Sequence, residues 1–176
     1  MKTSGFSLIE MIITLAIGAL LFTIAIPAFD HLIRSSRIET ATWALFDATQ
    51  TARSHAVKAN SRVTMQANST WQQGWRIFHD DNHNGLYDED ELLLQTHHEL
   101  HESIKVKGNR PLQDYISYLG TGESHWASGK RKSAFQAGTI TICSDNAEHG
   151  GYSLVLSRGG RIRKERIGES ECATST

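Results

Sequence analysis

The feature that most constrains this chain is an apolar run near its N-terminus, from Phe6 to Phe29 (FSLIEMIITLAIGALLFTIAIPAF). As a helix that rises about 1.5 Å per residue, the run would span roughly 36 Å, which is enough to cross a bilayer. A secretory signal peptide has a shorter apolar region that ends in a cleavage site of small residues. The run lacks both properties, so we interpret it as a retained membrane helix.

A carboxylate interrupts this run at Glu10. A charged side chain inside a membrane costs on the order of 2.5–3.5 kcal/mol, so Glu10 needs a partner of opposite charge. The short basic leader that ends in Gly5, followed by Phe6-Ser7-Leu8-Ile9-Glu10, resembles the N-terminus of type IV prepilins. The resemblance implies cleavage after Gly5 by a prepilin peptidase and methylation of the new amine on Phe6. It also implies that Glu10 pairs with the N-terminus of a neighbouring pilin subunit. The alternative is a plain membrane anchor that tolerates Glu10.

A second helical pattern follows Pro27. Small and apolar residues recur at steps of mostly three and four, which predicts an amphipathic helix that stops near Asn60. These residues are Ile33, Ile38, Ala41, Leu45, Ala48, Ala52, Ala56 and Ala59. Turn signals then separate eight short strand patterns. They are Val63–Gln66, Trp75–Phe78, Leu92–Gln95, Ser103–Lys107, Tyr115–Leu119, Thr139–Cys143, Tyr152–Ser157 and Arg161–Ile167.

A long helix followed by strands predicts an α+β fold, with antiparallel β-sheet packed on the helix. We expect a leader at residues 1–5, the membrane-spanning half of the helix at 6–29 and its amphipathic half at 30–60. A β-rich globular domain would occupy residues 61–176.

Two further segments resemble the GspH/FimT family of minor pilins and pseudopilins. They are Gly74-Trp75-Arg76-Ile77-Phe78, which leads into an Asp/Asn-rich loop, and Gly160-Arg161-Ile162-Arg163. The resemblance implies a type IV pilin-like fold with a long helix on two small sheets. It implies a single pass through the inner membrane with a periplasmic C-terminal domain, and later a place in the pilus at the cell surface.

The Asp/Asn-rich loop matches the calcium-binding pattern D-x-[DN]-x-[DN]-G-x5-E. The candidate ligands are Asp80, Asn82, Asn84, the carbonyl of Leu86, Asp88 and Glu91. Such a set of oxygen atoms suits a hard cation such as Ca2+. Because strand patterns flank it, this would be a calcium loop outside an EF-hand. The alternative is a solvated acidic turn. Apart from this candidate Ca2+, we expect no required cofactor.

The chain has two cysteines, Cys143 and Cys172. Behind a prepilin leader the globular domain would lie outside the cytoplasm, where disulfides persist. We therefore expect a Cys143–Cys172 disulfide that ties down the C-terminal tail. Two buried thiols are the alternative.

The last strand pattern is strongly basic, with five basic residues and one acidic residue between Arg158 and Arg166. Strand alternation predicts that Ile162 faces the core while Arg161 and Arg163 project outward, roughly 6.6 Å apart. Paired guanidinium groups suit successive phosphates of a nucleic-acid backbone and give affinity without sequence readout. The supporting candidates are Arg158, Lys164 and Arg166, with a second basic patch at Lys130, Arg131 and Lys132. The alternative is a charged edge strand that prevents sheet aggregation.

DNA-binding FimT-like members of the family carry a C-terminal G-R-x-R motif, which Gly160 to Arg163 matches. The resemblance therefore implies a minor type IV pilin that binds extracellular DNA during natural transformation. The alternative is a pilus-assembly or type II secretion pseudopilin with no role in nucleic-acid binding. The net charge of −1 requires any DNA contact to be local. An enzyme is not expected, since the sequence has no nucleophile elbow, phosphate loop or dinucleotide fingerprint.

Overall fold

A computed structural model describes residues 7–128, 132–145 and 150–175 of the 176-residue chain. The chain divides into two compact units, Met1–Ser36 and Arg37–Thr176. One long helix, α1 (Leu8–Ala59), begins in the first unit and ends in the second.

In the first unit, the large apolar side chains of α1 are exposed. They include Leu8, Ile12, Leu15, Leu20, Phe22, Ile26 and Phe29. By its length and composition, α1 is able to cross a membrane. Glu10 lies in the first turn of α1 and is also exposed.

In the second unit, α1 buries a stripe of small and apolar side chains. The stripe consists of Ile38, Ala41, Leu45, Ala48, Ala52 and Ala56, which confirms the predicted periodicity between these residues, whereas Ile33 and Ala59 at its predicted ends are exposed. Two buried threonines on the same side, Thr42 and Thr49, donate their hydroxyl protons to the carbonyls of Ile38 and Leu45 at 2.7 Å. The alanines let the strands approach the helix axis closely.

The helix stops where the sequence predicts, because Asn60 takes a left-handed backbone conformation with φ of 47°. The amide of Ser61 then bonds to the carbonyl of Ala56 at 3.2 Å. An αL residue just past the helix, with such a bond behind it, is a common way to end an α-helix.

The strands that follow correspond to the eight sequence patterns. They are β1 (Val63–Asn68), β2 (Thr70–His79), β3 (Leu93–His97), β4 (Ile104–Gly108), β5 (Tyr115–Tyr118), β6 (Gly138–Ser144), β7 (Gly151–Leu156) and β8 (Ile162–Ile167). A short 3-10 helix at Arg110–Leu112 and a C-terminal helix, α2 (Glu169–Ser175), were not predicted. The largest difference in bounds is at β2, which begins at Thr70 instead of Trp75. Gly74 has φ of 97° within this strand, and the irregular backbone there obscures the strand pattern in the sequence.

The described strands form two antiparallel sheets with the orders β3-β2-β1-β5 and β4-β6-β7-β8. Their inner faces and the buried stripe of α1 share one hydrophobic core. Trp71 lies in this core and donates its indole proton to the carbonyl of Leu112 at 2.7 Å. The architecture is therefore the predicted α+β arrangement of antiparallel sheet on a long helix.

The predicted disulfide is present and joins Cys143 of β6 to Cys172 of α2. Gly151 of β7 lies beneath this bond, where an added Cβ would be 3.0 Å from the Cys172 sulfur atom. The disulfide thus holds α2 against the second sheet, and the small residue at position 151 leaves room for it.

We expect the double substitution Cys143→Ser and Cys172→Ser to lower the free energy of unfolding by about 3–4 kcal/mol, because the bond closes a loop of 29 residues in the unfolded chain. Urea denaturation of a fragment from Arg37 to the C-terminus measures this, since that unit contains the core and both cysteines. An unchanged denaturation midpoint would contradict the expected role of the disulfide.

Candidate nucleic-acid interface

The basic segment lies on the hairpin of β7 and β8, and β8 is an edge strand of the second sheet. The turn is closed by Ser157, whose amide donates to the carbonyl of Arg161 at 2.9 Å. The Ser157 hydroxyl oxygen accepts the amide proton of Arg161 at 3.2 Å. The amide of Gly160 donates to the carbonyl of Ser157 at 2.9 Å. These bonds fix the strand register in which Leu156 pairs with Ile162.

The two central arginines are exposed, as the alternation of the strand predicts. Ile162 is only 3% exposed and belongs to the hydrophobic core, whereas Arg161 and Arg163 are exposed on the opposite side of the strand. The Nε atom of Arg163 lies 2.8 Å from a carboxylate oxygen of Glu165 on the same face. An exposed pair of this kind contributes little free energy, so Arg163 can exchange this partner for a phosphate.

The lysine of this strand lies on the other face. The ammonium group of Lys164 is 3.9 Å from the ring centroid of Trp43 and 4.9 Å from that of Tyr152. It is also 4.0 Å from a carboxylate oxygen of Glu39 on α1. Lys164 therefore packs on aromatic rings beside the helix, on the face opposite Arg161 and Arg163, and the sequence-based expectation that it supports them stays a prediction.

The other candidate cations are spread over several places. Arg166 shares the strand face of Lys164 by alternation and is exposed. Arg158 is exposed in the hairpin turn, and Lys132 is exposed after the long loop. Lys130 and Arg131 lie outside the described residues, as do the processing residues Gly5 and Phe6.

The glycine of the Gly160-Arg161-Ile162-Arg163 segment is required by the backbone. Gly160 has φ of 73°, and an added Cβ would overlap the carbonyl oxygen of Gly122 and lie 3.0 Å from the Tyr118 ring. The Tyr118 ring is fully buried beneath this turn, and burial raises the pKa of its hydroxyl. The close approach of Gly160 to both residues explains why a side chain is excluded.

Arg53 of α1 holds this turn in place, and sequence reasoning did not identify it. Its Nε atom donates to the carbonyl of Gly122 at 2.9 Å, and its Nη2 atom donates to the carbonyl of Gly159 at 3.1 Å. The only sequence signal is a basic residue that directly follows Ala52 of the buried stripe. Arg53 thus connects the helix to the two loops that position Arg161.

The acidic loop is closed by its own backbone. Asp80 is fully buried, and its two oxygens accept protons from the amides of Asn84 at 2.9 Å and Gly85 at 3.1 Å, and from the hydroxyl of Thr64 at 2.8 Å. The two carboxylate oxygens of Glu91 each accept a backbone amide proton, from Asp81 and Asp88, at 3.1 Å.

The remaining candidate calcium ligands bond to each other. The amide groups of Asn82 and Asn84 both donate to Asp88, at 2.6 and 2.9 Å. The side-chain oxygen of Asn84 accepts the backbone proton of Leu86 at 2.5 Å. Hydrogen bonds among these side chains and the loop backbone therefore hold the acidic loop in its turn conformation.

A buried cation balances the charge of Asp80. Arg62 donates to the hydroxyl of Ser117 at 2.7 Å, and Thr64 bridges Ser117 and Asp80 with bonds of 2.9 and 2.8 Å. Burial lowers the pKa of Arg62, while the charge of Asp80 acts in the opposite direction. In the described part of the chain, no group of three or more His, Cys, Asp or Glu side chains is placed to hold a metal ion. These residues form a turn closed by their own hydrogen bonds, with Arg62 as the nearby counter-charge of Asp80, and calcium binding by this loop stays a prediction.

Comparison with known proteins gives two family matches. Residues 41–160 match the family model described as type II transport protein GspH, and residues 1–26 match the prokaryotic N-terminal methylation motif. The comparison with curated protein sequences gave no match.

Solved structures show the same fold. The type IV minor pilin FimU of Pseudomonas aeruginosa is 20% identical, with a TM-score of 0.58 over 79% of this chain and 94% of FimU. The minor pseudopilin EpsH from the Type 2 Secretion System of Vibrio cholerae is 10% identical, with a TM-score of 0.52 over 74% of this chain and 97% of EpsH. The long helix with two antiparallel sheets is therefore the type IV pilin fold that the sequence resemblance implied.

We expect Gly160→Ala to destabilise the second unit by about 1–3 kcal/mol through backbone strain alone, with a further loss from the overlap at Gly122. Gly159→Ala is the matched control, because an added Cβ there meets no atom within 4 Å. It should change the free energy of unfolding by less than about 0.5 kcal/mol. Urea denaturation of both variants tests this, and equal effects would show that Gly160 is not sterically required.

We also expect the acidic loop to make stability depend on pH through Glu91. Burial, together with the nearby charges of Asp80 and Asp88, raises the pKa of Glu91, although the amides of Asp88 and Asp81 oppose this. Because folding raises this pKa, protonated Glu91 stabilises the folded state below the ordinary glutamate pKa of about 4.3. This contribution to the free energy of unfolding is lost as the pH rises and Glu91 ionises. The stability of the parent relative to Glu91→Gln should therefore fall between about pH 4 and neutrality. A constant difference in urea denaturation across that range would contradict this assignment.

Proposed function

The chain belongs to the GspH family of type II transport proteins, and from this premise we propose that it is a minor type IV pilin that binds extracellular DNA through Arg161 and Arg163. The family is one of minor pilins and pseudopilins, whose members assemble with other pilins. DNA binding for uptake in natural transformation is the finer function that we assign to the hairpin.

The observation that carries the proposal is the exposed pair of arginines on an edge strand. Ile162, between them, is buried in the core, and Ser157 closes the turn beside them. Both guanidinium groups are thereby presented on one face, roughly 6.6 Å apart along the strand. Arginine can bind each phosphate through two parallel hydrogen bonds. Such contacts hold a nucleic-acid backbone without reading its sequence.

The N-terminal segment supports the route to the cell surface in this proposal. The methylation motif covers residues 1–26, which include the leader and the start of the apolar run. A prepilin peptidase would cleave between Gly5 and Phe6 and methylate the amine of Phe6. The apolar half of the helix would hold the chain in the inner membrane with the globular domain in the periplasm. In the pilus, Glu10 would pair with the N-terminus of a neighbouring subunit.

One observation favours a purely structural role as the second candidate. Arg163 is paired with Glu165 at 2.8 Å on an edge strand, and alternating charges of this kind prevent unwanted pairing between sheets. In that case the hairpin would protect the edge of the sheet, and the protein would contribute to pilus assembly without binding DNA.

We expect the double substitution Arg161→Ala and Arg163→Ala to weaken DNA binding at least about tenfold, because two charged phosphate contacts are lost. The plot of log affinity against log salt concentration should become shallower by about 2 units, since fewer counterions are released. Fluorescence anisotropy with labelled duplexes of unrelated sequence measures both quantities, using the full chain in a non-ionic detergent.

The matched control is Lys164→Ala with Arg166→Ala, which removes the same charge from the other face of β8. It should retain most of the affinity of the parent. If this control weakens binding as much as the arginine pair does, net charge and not the hairpin face is responsible. If neither variant weakens binding, the hairpin is not the DNA-binding site, and if the parent itself does not bind DNA, the structural role is the correct one.

A further inference from the structure

The second sheet has a face that points away from the core, which we call the outer face. On the core side lie Ile104, Ile140, Ile142, Leu154 and Ile162. The outer face is formed by the intervening positions of the same strands, because successive side chains alternate across a sheet. Arg163 and Glu165 of β8 are on this outer face.

Two lysines of β4 lie on the same outer face. Across the sheet, Lys107 pairs with Thr141, Thr141 with Ser153, and Ser153 with Glu165. Cross-strand partners point to the same side of a sheet, so Lys107 faces the same way as Glu165. Lys105 is two residues before Lys107 on β4 and so lies on the same face, where it pairs with Cys143 of β6. Both lysines are exposed and line one surface cavity with Thr141, Cys143 and Cys172.

The outer face therefore carries two pairs of cations at opposite edges. The strands β4 and β8 are first and last in the order β4-β6-β7-β8. Three strand spacings separate the two edges by about 14 Å, and the register places the arginine pair about four residues, or roughly 13 Å, further along the strands than the lysine pair. The two pairs therefore lie about 19 Å apart on a diagonal, while the members of each pair are roughly 6.6 Å apart. Between the pairs lie the uncharged side chains of Thr139, Thr141, Ser153 and Val155. Towards the Lys105 end of this face, the disulfide at Cys143 holds α2, which carries Glu169 and Glu171 in its first turn. In the described strands of this sheet, Glu165 is the one acidic residue on the outer face, and it is already paired with Arg163.

We propose that the outer face binds duplex DNA by contacting both backbones, with Arg161 and Arg163 on one and Lys105 and Lys107 on the other. This inference rests on the proposed DNA-binding function and specifies the form of the nucleic acid. The two backbones of B-DNA flank grooves about 6 and 12 Å wide, and long basic side chains that lean inward from both pairs can adjust a diagonal separation of about 19 Å to the wider groove. A single strand offers one backbone and can engage one pair at a time.

The composition of the outer face also favours a duplex. Proteins that bind single strands combine a basic groove with aromatic side chains on which the bases stack. In the described strands of the second sheet, the outer positions hold no aromatic residue. The one aromatic residue of these strands, Tyr152, lies on the other face, where Lys164 covers its ring. The outer face thus offers phosphate contacts without a stacking surface.

The test compares a labelled duplex with a single strand of the same length, using the full chain in non-ionic detergent at several salt concentrations. Lys105→Ala with Lys107→Ala should weaken duplex binding about tenfold and make the salt dependence shallower by about 2 units. It should leave single-strand binding unchanged within about twofold. The Arg161→Ala and Arg163→Ala pair should weaken binding to both.

Three results would overturn the inference, and each can be distinguished from a result that overturns the proposed function. If the lysine variant binds duplex as the parent does while the arginine variant does not, DNA binding stands but the second backbone contact is wrong. Equal losses for duplex and single strand in the lysine variant would also refute it. The inference would also be refuted if the parent bound the single strand as tightly as the duplex. Lys105→Gln with Lys107→Gln preserves most of the side-chain volume and guards against a loss of folding. If no variant changes binding, the proposed function itself fails.

Discussion

The close contact between α1 and the two sheets is the interaction on which the rest of the second unit depends. Four alanines, Ala41, Ala48, Ala52 and Ala56, are buried in this contact and let the strands lie against the helix. Longer side chains on the same half of α1 contact the basic hairpin. Arg53 donates to the Gly122 loop and to Gly159 in the turn of the basic hairpin, and the ammonium group of Lys164 packs over the ring of Trp43. The helix is therefore both the centre of the core and the support for the candidate DNA-binding strand.

A second buried element, the Arg62–Asp80 network, stabilises the acidic loop. Placing two opposite charges in the interior is favourable only when hydrogen bonds satisfy them, and here Thr64 and Ser117 link the two groups. A calcium ion would supply the same compensating charge from outside the chain. Because Arg62 supplies it from within, the loop can be ordered while it keeps a sequence typical of calcium binding.

Much of the candidate interface could be predicted because it depends on local alternation. The sequence pattern alone placed Ile162 inward and Arg161 and Arg163 outward, and the structure agrees. The position of Lys164 could not be predicted in this way, because its ammonium group lies over Trp43 of the distant helix. Arg53 was missed for the same reason, since both of its acceptors belong to loops far along the chain.

The sequence by itself determined the apolar helix, the prepilin-like N-terminus, the eight strands and the cysteine pair, since each depends on periodicity, composition or a short motif. Only the tertiary structure decided which charges share a surface. Strand order and register bring Lys105 and Lys107 onto the face of Arg163, although Arg163 lies 58 and 56 residues after them along the chain. Register follows from how whole strands pack their apolar sides against the helix, and that information is not contained in any one segment.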